Sequence, residues 1–294
     1  MTSVLDAPSN LGLRPPAPGV EPGVRRLADA LRACGIVERL GARDAGRVEA
    51  PPYRPEIDPA TGVRNGAAIP GYTLALAERI GALVDAGERP LVLGGDCSIL
   101  LGSMLALRRR GRYGLAHVDG HLDFRHLGWH PTVSNVAGED LAVVTGRAAP
   151  QLADLDGLAP YVADGDVVAL GERERDPGER AAIAPTSITV LDLPALRALG
   201  VAQAVAEARE RLERPGVEGY WIHVDADVVD SALLGAVDSP APDGLGFEEL
   251  AALVRGLLAG RAVGMQLTVF DPDLDPDGSQ ARALTDCLVS AAGP

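Results

Sequence analysis

The sequence predicts an α/β fold in which a parallel sheet is covered by helices on both faces. Short apolar runs ending in Gly, Asp or Ser alternate with stretches of helical period along the chain, as in parallel βαβ units. The runs are apolar on both faces, as strands lying between two helical layers must be. A hydrophobic fraction of 47% over 294 residues is enough to build a sizeable core.

Taken in order, the strands are expected at residues 4–5, 91–94, 114–118, 166–170, 187–190, 219–224 and 262–269. Between them, residues 23–40, 71–87, 98–109, 193–213, 246–258 and 279–292 carry helical periodicity with Gly or Pro punctuation and read as the crossover helices. Four Pro- and Gly-rich stretches, 15–23, 50–70, 125–138 and 230–244, are too long for ordinary connections. Loops that follow strand ends are candidate walls of a site. The alternation is never interrupted by a linker, repeat or heptad pattern, so residues 1–294 read as a single domain.

With 27 basic and 41 acidic side chains the net charge is −14, which repels phosphate backbones and anionic lipid heads. Nucleic acid and membrane surfaces are therefore poor partners. Cys34, Cys97 and Cys287 are odd in number and widely spaced, unlike a disulfide framework, and point to a reduced compartment. The start lacks a charged and then apolar leader, and no apolar run reaches 18 residues, so a soluble cytoplasmic protein is expected.

The chemistry concentrates in two similar segments. His117-Val-Asp119-Gly-His121-Leu-Asp123 spaces four ligand-type side chains two residues apart, hence on one face wherever the chain is extended. Buried at a strand end, such groups need partners or a metal. His223-Val-Asp225-Ala-Asp227 repeats the pattern directly after the apolar Tyr220-Trp221-Ile222. Two such strand ends can supply bridging and terminal ligands for a pair of divalent cations. For His117 and His223 a supporting or core role is expected rather than ligation. A third segment, Gly94-Gly95-Asp96-Cys97-Ser98, reads as a strand-to-helix turn in which Asp96 or Ser98 could simply cap the helix.

In this order and spacing the three segments resemble the ureohydrolase family of arginases and agmatinases, whose GGDHS, DAHxD and DxDxxDP stand here as GGDCS, DGHLD and DADVVDS. The resemblance covers the whole chain. It implies a three-layer α/β/α fold with a mainly parallel eight-stranded sheet, and commonly a trimer or hexamer. Carried over by position, the metal ligands are Cys97, Asp119, His121, Asp123, Asp225 and Asp227, with Asp119 and Asp225 bridging two divalent ions, usually manganese. A metal-bound hydroxide would then attack the trigonal carbon of the substrate.

Several positions depart from that pattern. Cys97 replaces a ligating His, and a thiolate would shift the preference toward zinc or iron. Ala137 stands where arginases carry a proton-shuttling His, so Asp123 and the loop residues His126 and His130 are the catalytic candidates. Val269 replaces the Glu that pairs with a guanidinium. The stretch Asp176-Pro-Gly-Glu179 resembles one that reads a substrate amino group, Arg125 could hold a carboxylate, and Ser239 aligns with a small polar loop residue. In motif detail the chain is most similar to the Nω-hydroxyarginine amidinohydrolase branch. The expected activity is hydrolysis of a C–N bond in a small amidine or modified guanidine bearing an amino group. The alternatives are a non-catalytic metal-stabilised paralogue and a deacetylase-like amidohydrolase with one metal.

Overall fold

The computed structural model describes residues 2–125, 134–173 and 176–293. Eight strands, β1 (Thr2–Asp6), β2 (Arg43–Arg47), β3 (Arg89–Leu93), β4 (Gly114–Val118), β5 (Val167–Leu170), β6 (Thr189–Leu191), β7 (Tyr220–Asp225) and β8 (Ala262–Thr268), form one sheet. Their order is β2-β1-β3-β8-β7-β4-β5-β6, and every pairing is parallel. The helices are α1 (Leu27–Ala33), α2 (Ile36–Arg39), α3 (Ile69–Asp85), α4 (Ile99–Arg108), α5 (Asp140–Val144), α6 (Pro150–Ala153), α7 (Pro177–Ile183), α8 (Leu193–Leu199), α9 (Val201–Leu212), α10 (Phe247–Leu258) and α11 (Ser279–Ala292).

Strand residues alternate between two apolar cores, which makes the architecture three layers. Val4, Leu91, Leu93, Ala116, Val118, Ile222, Val224 and Leu267 join a core closed by α1, α2 and α8 to α11. Leu5, Val92, Leu115 and Trp221 face the opposite core, closed mainly by α3 to α6. His117 lies two residues beyond Leu115, and His223 two beyond Trp221, so both turn toward this second layer.

The differences from the expected elements have local causes. Strand β2, RDAGR, buries only Ala45 and carries no apolar run to announce it. The helical stretch 23–40 breaks at Gly35 and the stretch 193–213 at Gly200, both at positive φ (76° and 79°), a conformation that interrupts a helix at little cost only for glycine. Among the described residues no helix is long and apolar enough to cross a membrane.

Candidate metal centre

Strands β4 and β7 are neighbours in register, with His117 opposite His223. The repeated motif is thereby laid side by side at the C-terminal ends of the two strands, where ligands of open parallel sheets commonly bind. Each copy closes the same local turn. Asp119 Oδ1 accepts the amide of His121 at 2.7 Å, and Asp225 Oδ1 accepts that of Asp227 at 2.8 Å. His121 Nδ1 lies 3.1 Å from Asp227 Oδ2 and 3.5 Å from Asp119 Oδ1. Ligand atoms of Asp119, His121 and Asp227 all fall within 4.8 Å of one another, so these three could hold a metal ion.

The buried charges shift one another. Burial pushes the Asp225 and Asp227 carboxyls up, as does their repulsion from neighbouring carboxylates. Asp123 is likewise pushed well up by burial and by Asp119. Burial would lower the His121 imidazole, but Asp227 and Asp119 outweigh it and raise it far above the ordinary histidine value. Asp119 moves the other way, because the imidazoles of His121, His223 and His117 around it overcome its burial.

The third segment closes over this centre from β3. Gly94-Gly95 brings it near, since a Cβ at Gly95 would collide with the backbone of Ser9. Asp96 braces the turn rather than capping α4, accepting the Ser98 amide at 2.8 Å and the Ser9 hydroxyl at 2.7 Å, and no side chain caps the helix. Cys97 is buried, with Sγ donating to Asp225 Oδ2 at 2.8 Å and 3.2 Å from Thr268 Oγ1. Burial and the adjacent carboxylates hold its thiol well above the usual cysteine range.

A cavity of about 170 Å³ opens above these residues. Cys97, His121, Asp123, Asp225 and Asp227 line it, together with Arg125 and Ser239 from the sequence reading. Arg14, Asn135 and Asp238 also line it and were missed by sequence reasoning, although Asn135 stands two residues before Ala137 and Asp238 beside Ser239. Val269 and Ala137 contribute buried apolar wall. Val269 holds φ at 71°, a strained value for a β-branched residue, while its amide donates to Gly95 O at 2.7 Å.

Asp176 and Glu179 do not line the cavity. Asp176 caps α7 by accepting the amides of Gly178 and Glu179. Glu179 accepts the Phe124 amide at 3.0 Å and lies 3.6 Å from Arg125 Nε, so the pair supports the segment that carries Arg125. His126 and His130 lie outside the described residues.

Beneath the cavity floor is a polar layer that the sequence only hinted at. The rings of His117 and His223 stack with centroids 4.7 Å apart. His117 Nε2 is 3.2 Å from Asp140 Oδ1 on α5. Trp221 Nε1 can only donate, so it fixes Gln266 with its carbonyl oxygen at 3.0 Å and its amide nitrogen 2.8 Å from His223 Nδ1. His223 Nδ1 therefore accepts, and its Nε2 carries the ring proton.

The family model described as the arginase family matches residues 3–293. An arginase from Agrobacterium fabrum is 29% identical over 291 residues, covering 93% of this chain and 86% of that protein. One from Brucella melitensis is 30% identical over 286 residues, covering 90% and 89%. The solved structure of arginase from Bacillus caldovelox superposes with a TM-score of 0.89 at 26% identity, covering 100% of this chain and 98% of that one.

Proposed function

The chain belongs to the arginase family, and from that premise we propose that it hydrolyses a C–N bond in a small amidine or modified guanidine that also carries an amino group. The observation that carries this reading is the convergence of Asp119, His121 and Asp227, the last two of which line a cavity of small-molecule size. The donor set of carboxylate oxygens and imidazole suits divalent cations. Asp119 Oδ2, buried without a hydrogen-bond partner, is the kind of atom a cation would satisfy. Asp119, His121, Asp123, Asp225 and Asp227 would hold two ions, manganese by preference. A bond from Cys97 would favour zinc or iron. When bound, such ions supply Lewis acidity and lower the pKa of water to near neutrality.

The remaining work falls to the chain itself. Arg14 and Arg125 offer positive charge on the cavity wall to a carboxylate, and Asp238 offers negative charge to an ammonium group. Asn135 is steadied by Arg64, whose Nη1 donates to its Oδ1 at 2.8 Å. Asp123, a buried carboxyl on the wall, would take the proton released as water adds to the trigonal carbon. It would return that proton to the departing nitrogen as the C–N bond breaks, a role for which His126 and His130 are the other candidates. Val269 and Ala137 give a full guanidinium no bidentate partner, which favours a less basic, oxygenated guanidine or an amidine. The proposal extends to a single-domain cytoplasmic homo-oligomer, a trimer or hexamer.

The test combines elemental analysis of protein loaded with Mn²⁺, Zn²⁺ or Fe²⁺ with urea and ammonia release from arginine, hydroxyarginine and agmatine. Release that depends on bound metal supports the reading and identifies the branch. Metal bound stoichiometrically without release from any amidine would favour the non-catalytic paralogue, for which the apolar Ala137 and Val269 already speak.

A further inference from the structure

The layer under the cavity floor contains more unsatisfied chemistry than the motif ligands account for. His117, Asp119, Asp140 and His223 are all buried, none more than 1% exposed. Within this group His117 Nδ1, Asp119 Oδ2, Asp140 Oδ2 and His223 Nε2 have no hydrogen-bond partner. Four orphaned polar atoms in one buried cluster are costly unless something neutralises them. Among the described residues the only ionic neighbours of Asp140 are the two imidazoles, at 3.2 Å for His117 and 3.8 Å for His223.

We propose that a divalent cation is held here by His117 Nε2, Asp123 and Asp140, with Asp119 Oδ2 alongside and no bond to Cys97. The inference rests on the metal-dependent reading above and changes which residues hold the second ion. His117 Nε2 lies 3.2 Å from Asp140 Oδ1 and 3.8 Å from Asp119 Oδ2. Donors bonded to one cation at about 2.0–2.2 Å stand about 3–4 Å from each other. His117, Asp123 and Asp140 also bring ligand atoms within 4.8 Å of one another.

The neighbouring groups are arranged to support this set rather than join it. His223 cannot offer Nε2 as a lone pair, because Gln266 already occupies Nδ1 as a donor. Its Nε2–H instead faces Asp119 Oδ2 and Asp140 Oδ2, each at 3.8 Å, and steadies both carboxylates. No hydrogen bond engages His117 Nδ1, so the ring is free to take the tautomer that presents Nε2 as an acceptor. Cys97 Sγ instead contacts Asp225 Oδ2 at 2.8 Å and Thr268 Oγ1 at 3.2 Å, and the group it forms with Asp140 and His223 lacks a lone pair at His223 Nε2. Asp119 turns Oδ1 toward His121 at 3.5 Å and Oδ2 toward the new site, so one carboxylate can serve both ions.

The experiment counts Mn²⁺ per chain by elemental analysis after gel filtration and follows spin coupling between ions by electron paramagnetic resonance. The wild type is expected to hold two ions, D140N and H117Q to lose one, and C97A to keep both. H121A should lose the other ion. Retention of two ions by D140N and H117Q, or loss of one by C97A, overturns the assignment. If the wild type holds a single ion, its loss in D140N supports the site and its loss only in H121A overturns it. No ion bound by the wild type would instead remove the parent reading. Because H117Q could fail to fold, Co²⁺-loaded wild type gives a variant-free check. Absence of a thiolate charge-transfer band is expected, and its presence would return Cys97 to the ligand set.

Discussion

Two buried carboxylate regions of this sheet are built in opposite ways. At the N-terminal end of β5, Asp166 is fully buried and is clasped by two arginines, Arg112 at 2.7 and 3.1 Å and Arg214 at 2.6 and 3.1 Å. At the C-terminal ends of β4 and β7, Asp119, Asp123, Asp225 and Asp227 are buried with imidazoles and a thiol around them, and Asp140 lies behind. Among the described residues no arginine hydrogen-bonds to any of these five carboxylates. Arg173 donates instead to the backbone oxygen of Asp227 at 2.6 Å. A carboxylate that serves only the fold is neutralised by the chain's own guanidinium groups, whereas one meant for a cation is left with charge to spare.

The comparison breaks most visibly through activity. Asp227→Ala removes a terminal ligand candidate, and several kcal/mol of transition-state stabilisation go with it, so hydrolysis should fall about 10²–10⁴-fold in initial rate. Asp166→Ala, at the other end of the sheet, should leave the rate of the folded enzyme unchanged. An Asp227→Ala enzyme with normal turnover would detach the cavity from the chemistry.

Stability should show the next largest contrast. Mn²⁺ at about a thousand times its dissociation constant should stabilise the wild type by about 4 kcal/mol in denaturant unfolding. The same gain is expected in Asp166→Ala, which keeps the whole centre. That variant itself should lose about 2–3 kcal/mol, since its two arginines remain partly solvated and only their charged hydrogen bonds are forfeited. A metal effect that vanished in Asp166→Ala would show the two regions to be coupled.

A smaller effect concerns pH in the metal-free protein. The Asp225 carboxyl is raised by burial, so the metal-free fold prefers it protonated. Its contribution is fully present below the ordinary carboxylate value, about 4, and is lost as pH rises through the folded value. Metal-free Asp225→Asn should therefore be more stable than the wild type near neutrality, by about 1 kcal/mol, with the gain shrinking in acid. Thermal melts in chelator across the pH range test this, and an Asn variant less stable at every pH would show that Asp225 is satisfied without metal.

Much of the layer order and of the cavity floor was legible in the residue pattern, and specific features explain what was not. Strands β3, β4, β7 and β8 are apolar runs, and each was expected within two residues of where it lies. Strand β2 escaped because an edge strand with one buried residue needs no apolar run. Asp176 and Glu179 matched a motif, yet their side chains are spent on the cap of α7 and the Phe124 amide rather than on the cavity. Arg14, Asn135 and Asp238 come to the cavity from loops far apart in the chain, and only the assembled fold brings them together.

The sequence by itself determined that His117 and Asp119, and likewise His223 and Asp225, alternate onto one face where the chain leaves β4 and β7, while His121 and Asp227 lie just past the strands in turns closed by Asp119 and Asp225. Side-chain alternation is a local property of extended backbone, and spacing alone dictates it. Only the tertiary structure decided that the two sets lie side by side in register, with His117 stacked on His223 and Asp140 brought behind them from α5. Which strands become neighbours depends on how distant helices pack over the sheet, and that pairing energy belongs to no single segment. The identity of the motif is therefore written in residue spacing, while the second layer of ligand atoms beneath it exists only once the sheet is assembled.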